Sequence, residues 1–593
     1  MTVYHAPTRD MRFCIEQLAD LDGIGKLPGM EAAEPDVIES VLEEAGRLAT
    51  EVLAPLNAEG DRNGARIEGD DVHETPGFAA AYQQFVESGW NSAPFSADHG
   101  GGGLPNVVSF AVGEIWQAAN MAFSLCPMLS QAAVEALLAH GSKELQEKYL
   151  PKMISGEWTG TMDLTEPQAG SDLAAVACKA VPQDDHYLIT GQKIFITWGD
   201  HQMTDNIIHM VLARLPDAPA GVKGISLFLV PKFMVNDDGS PGARNDMRPV
   251  SIEHKIGIHG SPTCVVSFGD NGGAVGYLVG ERHNGLACMF TMMNLARLHV
   301  GIEGVGIADR AYQRAARYAK ERVQGGAPGE EGRVTIIHHP DVRRMLMTMK
   351  SQIEAMRAFC TCAGDAMDFA LHSTDTDEKA QNQSRLDLLV PAVKGWCTET
   401  AQEIVSLAVQ VHGGMGFVEE TGAAQHFRDA RIATIYEGTT GIQASDLVGR
   451  KILRDEGRAM TALIGDIRQT ILELADDDEL DEIERNLRIA VDTLEAATAF
   501  LIERQRDDVH TAGSVSFNML MLAGVTAAGW QMARAALVSR RHLAARAQDA
   551  GFYEAKIITT KFFAQQILPR SRAYGEAILA GSDNIMVLAE DRF

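Results

Sequence analysis

Between about Trp158 and Arg282 the periodicity of this chain changes, and that change constrains the fold more than any single motif. The runs "HYLITGQKIFITWG", "NIIHMVLARL", "ISLFLVPKF" and "TCVVSFGD" are short, rich in β-branched and aromatic residues, and separated by Gly, Pro, Asn and Asp. That is the pattern of strands joined by turns, and Thr190-Gly191-Gln192 within the first run reads as a hairpin turn. Upstream, "DVIESVLEEAGRLATEVLAPLN" repeats apolar residues (Val37, Val41, Leu42, Ala45, Leu48, Ala49, Val52, Leu53) at three- and four-residue steps, the mark of an amphipathic helix. Helical patterning, broken by "DHGGGGLPN", continues to about Leu150, returns after "GERHNG" and runs to about Arg454. After the acidic run "ELADDDELDEIE", read as a solvated linker or helix face, Ile483, Leu487, Val491, Leu494, Ala497 and Leu501 keep a further helical stripe.

The sequence therefore predicts a mainly α fold with a central β domain. Its expected parts are an N-terminal extension (1–35), a helical domain (36–157), a β domain (158–281), a second helical bundle (282–456) and an additional C-terminal helical domain (457–593). A chain of 593 residues exceeds what one core organises. No internal repeat of solenoid length is present.

Charge and cysteine usage exclude several classes of function. A net charge of −28 repels polyanions, which argues against nucleic-acid partners and anionic membrane surfaces. The best basic run, "RRHLAAR", reads as an exposed helix face or a docking surface inside the C-terminal domain. Eight cysteines lie scattered without C-x-x-C spacing, which suits reduced thiols and a cytoplasmic location. The N-terminal segment carries charges where a signal peptide needs an apolar stretch, and no later segment holds 18 uncharged apolar residues in a row. No export or membrane insertion is expected. Neither G-x-G-x-x-G after a strand, G-x-x-x-x-G-K-[ST], H-E-x-x-H nor G-x-S-x-G occurs, and "IIHHPD" reads as a helix entry; no metal site is expected.

Three polar clusters remain, each set in apolar sequence. "MDLTEPQAGSD" (162–172) offers Thr165, Gly170 and Ser171 at the entrance to the β unit; taken alone it is a turn. In "KIFITWGD", Phe195 and Thr197 alternate on one strand face, so an aromatic surface and a hydroxyl point the same way. In "IATIYEGTTGIQ" (432–443), Glu437 is the only charged residue. Taken alone, such an acid reads as a helix-cap or loop Glu pairing with Arg431.

Taken in order, "LTEPQAGSD", "KIFITWGD", "KIGIHGSPTC", "QVHGGMGFVEE" and "FRDARIATIYEGTTGIQ" resemble the acyl-CoA dehydrogenase family of flavoproteins over roughly residues 40–455. The leading "APTRDMRFCIEQL" and the tail from "KFFAQQILPRS" resemble its long subgroup, which adds a C-terminal helical domain. The resemblance implies FAD as cofactor and an acyl-CoA thioester as substrate. It makes Glu437 the catalytic base for the α-proton, with Gly438 letting the chain approach the ligand. It places Leu164 and Thr165 at the pyrimidine edge of the flavin, Phe195 on the ring, Thr197 near N5 and Thr439 among the cofactor contacts. Arg322, Gln324, Gln410, Gly413 and Gly414 would hold the pyrophosphate and adenine side across a subunit boundary, which implies a homodimer or larger. Ser171, Asn294, Arg297, Tyr436 and Gly438 would meet the substrate.

An electron-transfer flavoprotein is the implied acceptor, and a short or medium acyl group, including one carrying a thioether, the implied substrate. An acyl-CoA oxidase and a DNA-associated flavoprotein of the same fold are the alternatives. The sequence departs from the family's pattern at Met162, at Phe195 in place of a frequent Trp, at Trp198 where Asn is common, and at the insertion "VQGGAPGEEGRVTIIHHP", which bears directly on Gln324.

Overall fold

A computed structural model describes residues 4–593, and its backbone divides into two units. The first comprises Glu44–Leu104 and Ala119–His299; the second takes the chain up to Glu43, Pro105–Ala118 and Val300–Phe593.

The first unit is built on an eight-stranded sheet: β1 (Trp158–Asp163), β2 (Lys179–Pro182), β3 (Tyr187–Thr197), β4 (Asn206–Arg214), β5 (Ile225–Pro231), β6 (Met247–Ile252), β7 (Thr263–Phe268) and β8 (Ala274–Val279). The order is β6-β7-β3-β8-β5-β4-β1, with β2 beside β3 and β4. β1 and β4 run parallel, while β3 lies antiparallel to β2, β7 and β8. All seven residues of β5 are buried, and so are all but the last of β4, which is why these segments read as continuous apolar runs. Ile189, Ile196, Val211, Phe228, Val230, Val266 and Phe268 form the core between them.

The hairpin expected at Gly191 does not form, because Tyr187–Thr197 is a single strand. Its first residues pair with β8, Ile189 facing Ala274, and from Gly191, which faces Phe268, it pairs with β7. Gly191 has φ +140°, and a Cβ there would lie 2.4 Å from Cys178 Sγ. The glycine therefore marks a change of partner with close packing, not a chain reversal. Gly191→Ala is expected to cost about 1–3 kcal/mol, read as a lower urea midpoint with unchanged slope.

The second unit is helical. Its central bundle contains α1 (Gly285–Glu321, of which the part from Val300 belongs here), α2 (Pro340–His372), α3 (Thr376–His412) and the short α4 (Thr440–Asp446). Helices follow from Arg458 to Leu579. The acidic run both connects two helices and enters the second: it bridges Arg458–Leu474 to Asp481–Arg504, and Asp481, Glu482 and Glu484 occupy the first turn of the latter, where carboxylates suit the helix dipole.

A buried ionic network ties the N-terminal helix Thr8–Gln17 into this unit. Arg357 Nε donates to both carboxyl oxygens of Glu114 (3.1 and 3.0 Å) and Arg357 Nη1 to Asp10. Lys556 donates to Glu354 (2.8 Å) and to Asp10. Desolvation opposes ionisation of Asp10, but Lys556 and Arg357 overcome it and hold the carboxyl well below the usual range.

Three helices, Asn106–His140, Gly285–Glu321 and Thr511–Ala544, are long and apolar enough to cross a membrane by length and composition. In each, most of the apolar window is buried within the protein, so packing accounts for their composition.

Candidate active site

In the first unit the two β-domain motifs lie side by side. Ile194 N donates to Thr165 O at 2.9 Å. Lys193, fully buried, reaches across from β3 and donates to Leu164 O (2.9 Å) and to Glu166 Oε1 (2.8 Å). Glu166 is itself 3% exposed and also accepts from Ala177 N (2.7 Å), Cys178 N (3.1 Å) and the Gln168 side chain. A buried ion pair with its remaining lone pairs filled is what keeps Leu164 and Thr165, both half-buried, against the strand.

The strand face carrying Phe195 and Thr197 departs from simple alternation. Ile196 pairs with Cys264 and Lys193 with Val266, so two residues of β3, Ile194 and Phe195, oppose one of β7. The bulge holds Phe195 at φ +60° and leaves this residue 58% exposed, while the next, Ile196, is buried. Bulges re-aim side chains in this way. Thr197, two residues on, is half-buried. Trp198, by contrast, is a core residue that donates from Nε1 to Ala122 O (3.0 Å) and stacks on Phe78.

Ser171 is exposed in the loop before Asp172, whose carboxylate caps the next turn. Arg297 is 4% exposed, donates toward Asn294 Oδ1 (3.4 Å) and lies over the Phe290 ring. Met289, Met292 and Met293 are buried, as core residues are.

In the second unit, Glu437 sits at φ +54° in the turn between Arg431–Thr434 and α4. Several bonds pin that turn. The buried Gln443 side chain donates to Glu437 O (3.1 Å) and Gly438 O (3.2 Å), and the buried Lys394 Nζ donates to Gly438 O (2.8 Å). Thr439 Oγ1 accepts from Ile442 N (3.2 Å), and Thr440 donates to Glu399 (2.6 Å). Tyr436 donates its hydroxyl to Glu303. Gly438 has φ +86°, and a Cβ there would meet Gln443 Nε2 at 2.7 Å.

Glu437 itself is half-buried. Its isolation along the sequence is not isolation in space, because Glu303 and Lys394 act electrostatically on the same cluster. Burial pushes Glu303 up to about 8, against the lowering effects of the Tyr436 hydrogen bond and Lys394. Three residues of this site, Glu303, Lys394 and Gln443, escaped the sequence reading.

The remaining candidates occupy the surface of the same unit. Arg322 and Gln324 are exposed and bonded to each other (3.3 Å). The insertion after them folds back on itself: Gln324 N donates to Val334 O, Val334 N to Gly325 O and Ile336 N to Arg322 O. Both side chains thus stay at the foot of a closed loop. Gln410, Gly413 and Gly414 are exposed at the end of α3, and nothing lies within 4 Å of where a Cβ would stand on either glycine. Two arginines of the basic run "RRHLAAR" pair within the chain: Arg540 with Asp477 and Glu479, and Arg541 with Glu473.

Comparison with known proteins follows the same architecture. The models of the acyl-CoA dehydrogenase N-terminal, middle and C-terminal domains match residues 36–157, 161–271 and 283–453, and that of the acetyl-CoA dehydrogenase C-terminal-like domain matches 463–589. The chain is 47% identical to 3-methylmercaptopropionyl-CoA dehydrogenase of Ruegeria pomeroyi, over 98% of this chain and 99% of that protein. Among solved structures, Caenorhabditis elegans ACDH-11 in complex with C11-CoA superposes with a TM-score of 0.78 at 20% identity, covering 98% of this chain and 96% of that one. An acyl-CoA dehydrogenase complexed with FAD from Bacillus anthracis gives 0.75 at 20% identity, covering 96% and 91%.

Proposed function

Because the chain belongs to the acyl-CoA dehydrogenase family, we propose that it oxidises a short acyl-CoA thioester across its α and β carbons with FAD, and that 3-methylmercaptopropionyl-CoA is its substrate. The observation that carries this reading is the 47% match running end to end, joined to a turn that fixes Glu437 through its own backbone. In this reading Glu437 removes the α-proton. FAD, when bound, would supply the acceptor for the hydride that leaves the β-carbon.

The residues present fit that cofactor. Phe195, more than half exposed, stands on a bulge in the strand that also carries half-buried Thr197 and that bonds, through Ile194 N, to the backbone of half-buried Thr165. A pair of glycines with open space in front of them, Gly413 and Gly414, suits close approach of a phosphate-bearing chain. Leu164, Thr165, Phe195 and Thr197 would hold the flavin ring; Arg322, Gln324, Gln410, Gly413, Gly414 and Thr439 would hold the rest. Ser171, Asn294, Arg297, Tyr436 and Gly438 would contact the acyl-CoA. Exposed Phe417, at 88%, with exposed Met415 and Phe427 supports a homodimer that covers this region. Buried free thiols at all eight cysteines suit a cytoplasmic enzyme.

Steady-state comparison of butanoyl-, octanoyl-, palmitoyl- and 3-methylthiopropanoyl-CoA, with electron-transfer flavoprotein as acceptor, tests the proposal. The 3-methylthiopropanoyl thioester is expected to give the highest kcat/KM, exceeding palmitoyl-CoA by at least about ten-fold. A preference for palmitoyl-CoA would overturn the substrate assignment. Rapid reoxidation of the reduced enzyme by air, with release of peroxide, would make it an oxidase.

A further inference from the structure

Between Arg297 and Asp309 the segment "LHVGIEGVGIA" carries a single acid, Glu303. Its glycines explain how it comes to be buried. A Cβ on Gly301 would lie 2.6 Å from Val393 Cγ1, and one on Gly304 3.1 Å from Cys397 O. α1 and α3 therefore cross at near backbone contact, and the crossing seals Glu303 of α1 and Lys394 of α3 from solvent, each 0% exposed.

From there the two side chains reach the same short segment. Glu303 Oε2 accepts the Tyr436 hydroxyl, one residue before Glu437, and Lys394 donates to the carbonyl of Gly438, one residue after it. The base-bearing residue is thus bracketed by two anchors that rise from the helix crossing. Glu303 Oε1 is buried without a hydrogen-bond partner. An ionised carboxylate left in that state is costly, whereas a protonated one is tolerable. Burial raises the Glu303 pKa to about 8, consistent with a neutral acid that grips Tyr436 without placing a second negative charge beside Glu437.

We propose that Glu303 is a positioning residue for the dehydrogenation: through Tyr436 it fixes the orientation of the turn from which Glu437 attacks the α-proton. The proposal rests on Glu437 being the base. Neither Glu303 nor its helix crossing needs to contact the acyl group. A small displacement of a base costs far more in the chemical step than in binding.

The test is a kinetic comparison of Glu303→Ala, Glu303→Gln, Tyr436→Phe and the double variant Glu303→Ala/Tyr436→Phe, each as flavin-loaded full-length enzyme, with single-turnover flavin bleaching as readout. Glu303→Ala is expected to lower the bleaching rate and kcat by about ten- to hundred-fold, with the KM changed less than three-fold. Glu303→Gln keeps an acceptor for the Tyr436 hydroxyl and is expected to recover most of the rate. The double variant should be no slower than the worse single one, because both remove the same link. A Glu303→Ala enzyme with wild-type bleaching, a Glu303→Gln enzyme as slow as Glu303→Ala, or additive losses in the double variant would overturn the proposal. Should Glu303→Ala fail to fold, Glu303→Gln and Tyr436→Phe carry the decision: retained rate in the first with loss in the second supports the link, and equal rates in both refute it. An active Glu437→Gln enzyme would instead refute the identity of the base, which keeps the two failures distinct.

Discussion

Replacing Glu437 by Gln is expected to lower turnover by about 10²–10⁴-fold while flavin content and the visible spectrum stay unchanged. The amide matches the carboxyl in shape and leaves the backbone of the turn in place. Gln443 still donates to the main-chain oxygens of residues 437 and 438, and Lys394 to that of Gly438. What is lost is the ability to accept a proton from carbon. Rapid-mixing measurement of flavin bleaching by substrate, alongside a binding titration with a non-reacting CoA thioester, separates the two effects. Near-wild-type bleaching would place the base on another residue.

The second large effect is structural. Lys193→Met removes the cation from a pair that is 0% and 3% exposed, leaving Glu166 buried with two backbone N–H donors and Gln168. Breaking a buried pair from one side costs about 3–5 kcal/mol, and the surviving donors place this case at the lower end. In the wild type, desolvation opposes ionisation of Glu166, yet Lys193 prevails and lowers its pKa. Such a group contributes stability above the ordinary carboxylate range that is lost as pH falls through the lowered value. The deficit of Lys193→Met should therefore be largest near neutrality and shrink in acid, where Glu166 takes up a proton. Urea denaturation at pH 7 and pH 4.5 measures it. Adding Glu166→Leu to Lys193→Met should return part of the loss, since no charge is then left stranded.

Much of this molecule was legible in its sequence, for identifiable reasons. Helical stripes and β-rich runs report burial on one face, and burial dominates the fold, so the order of helices, sheet and helices follows from period alone. Glu437 stood out because its neighbours along the chain carry no charge. The same test applied to the stretch around Glu303 would have flagged that residue too. Lys394 and Gln443 gave no such signal: one lies on a long helix and the other one turn into α4, and only the helix crossing brings them to the turn. Gly191 misled because a glycine between polar residues is the commonest sign of a reversal, while its other use, letting a neighbouring side chain in, depends on Cys178, 13 residues away. The bulge at Phe195 was likewise invisible, since it is defined by the count of residues on a partner strand some 70 positions later.

The ionic network around Asp10 links the first helix to a lysine 546 residues further on. A ribosome adding about 5–20 residues per second takes roughly half a minute to two minutes to make that partner. Arg357 reaches the Asp10 carboxylate from a position 347 residues on, so one half of this clasp can form well before the other, and its second half, the bond to Lys556, has to wait through all of that synthesis.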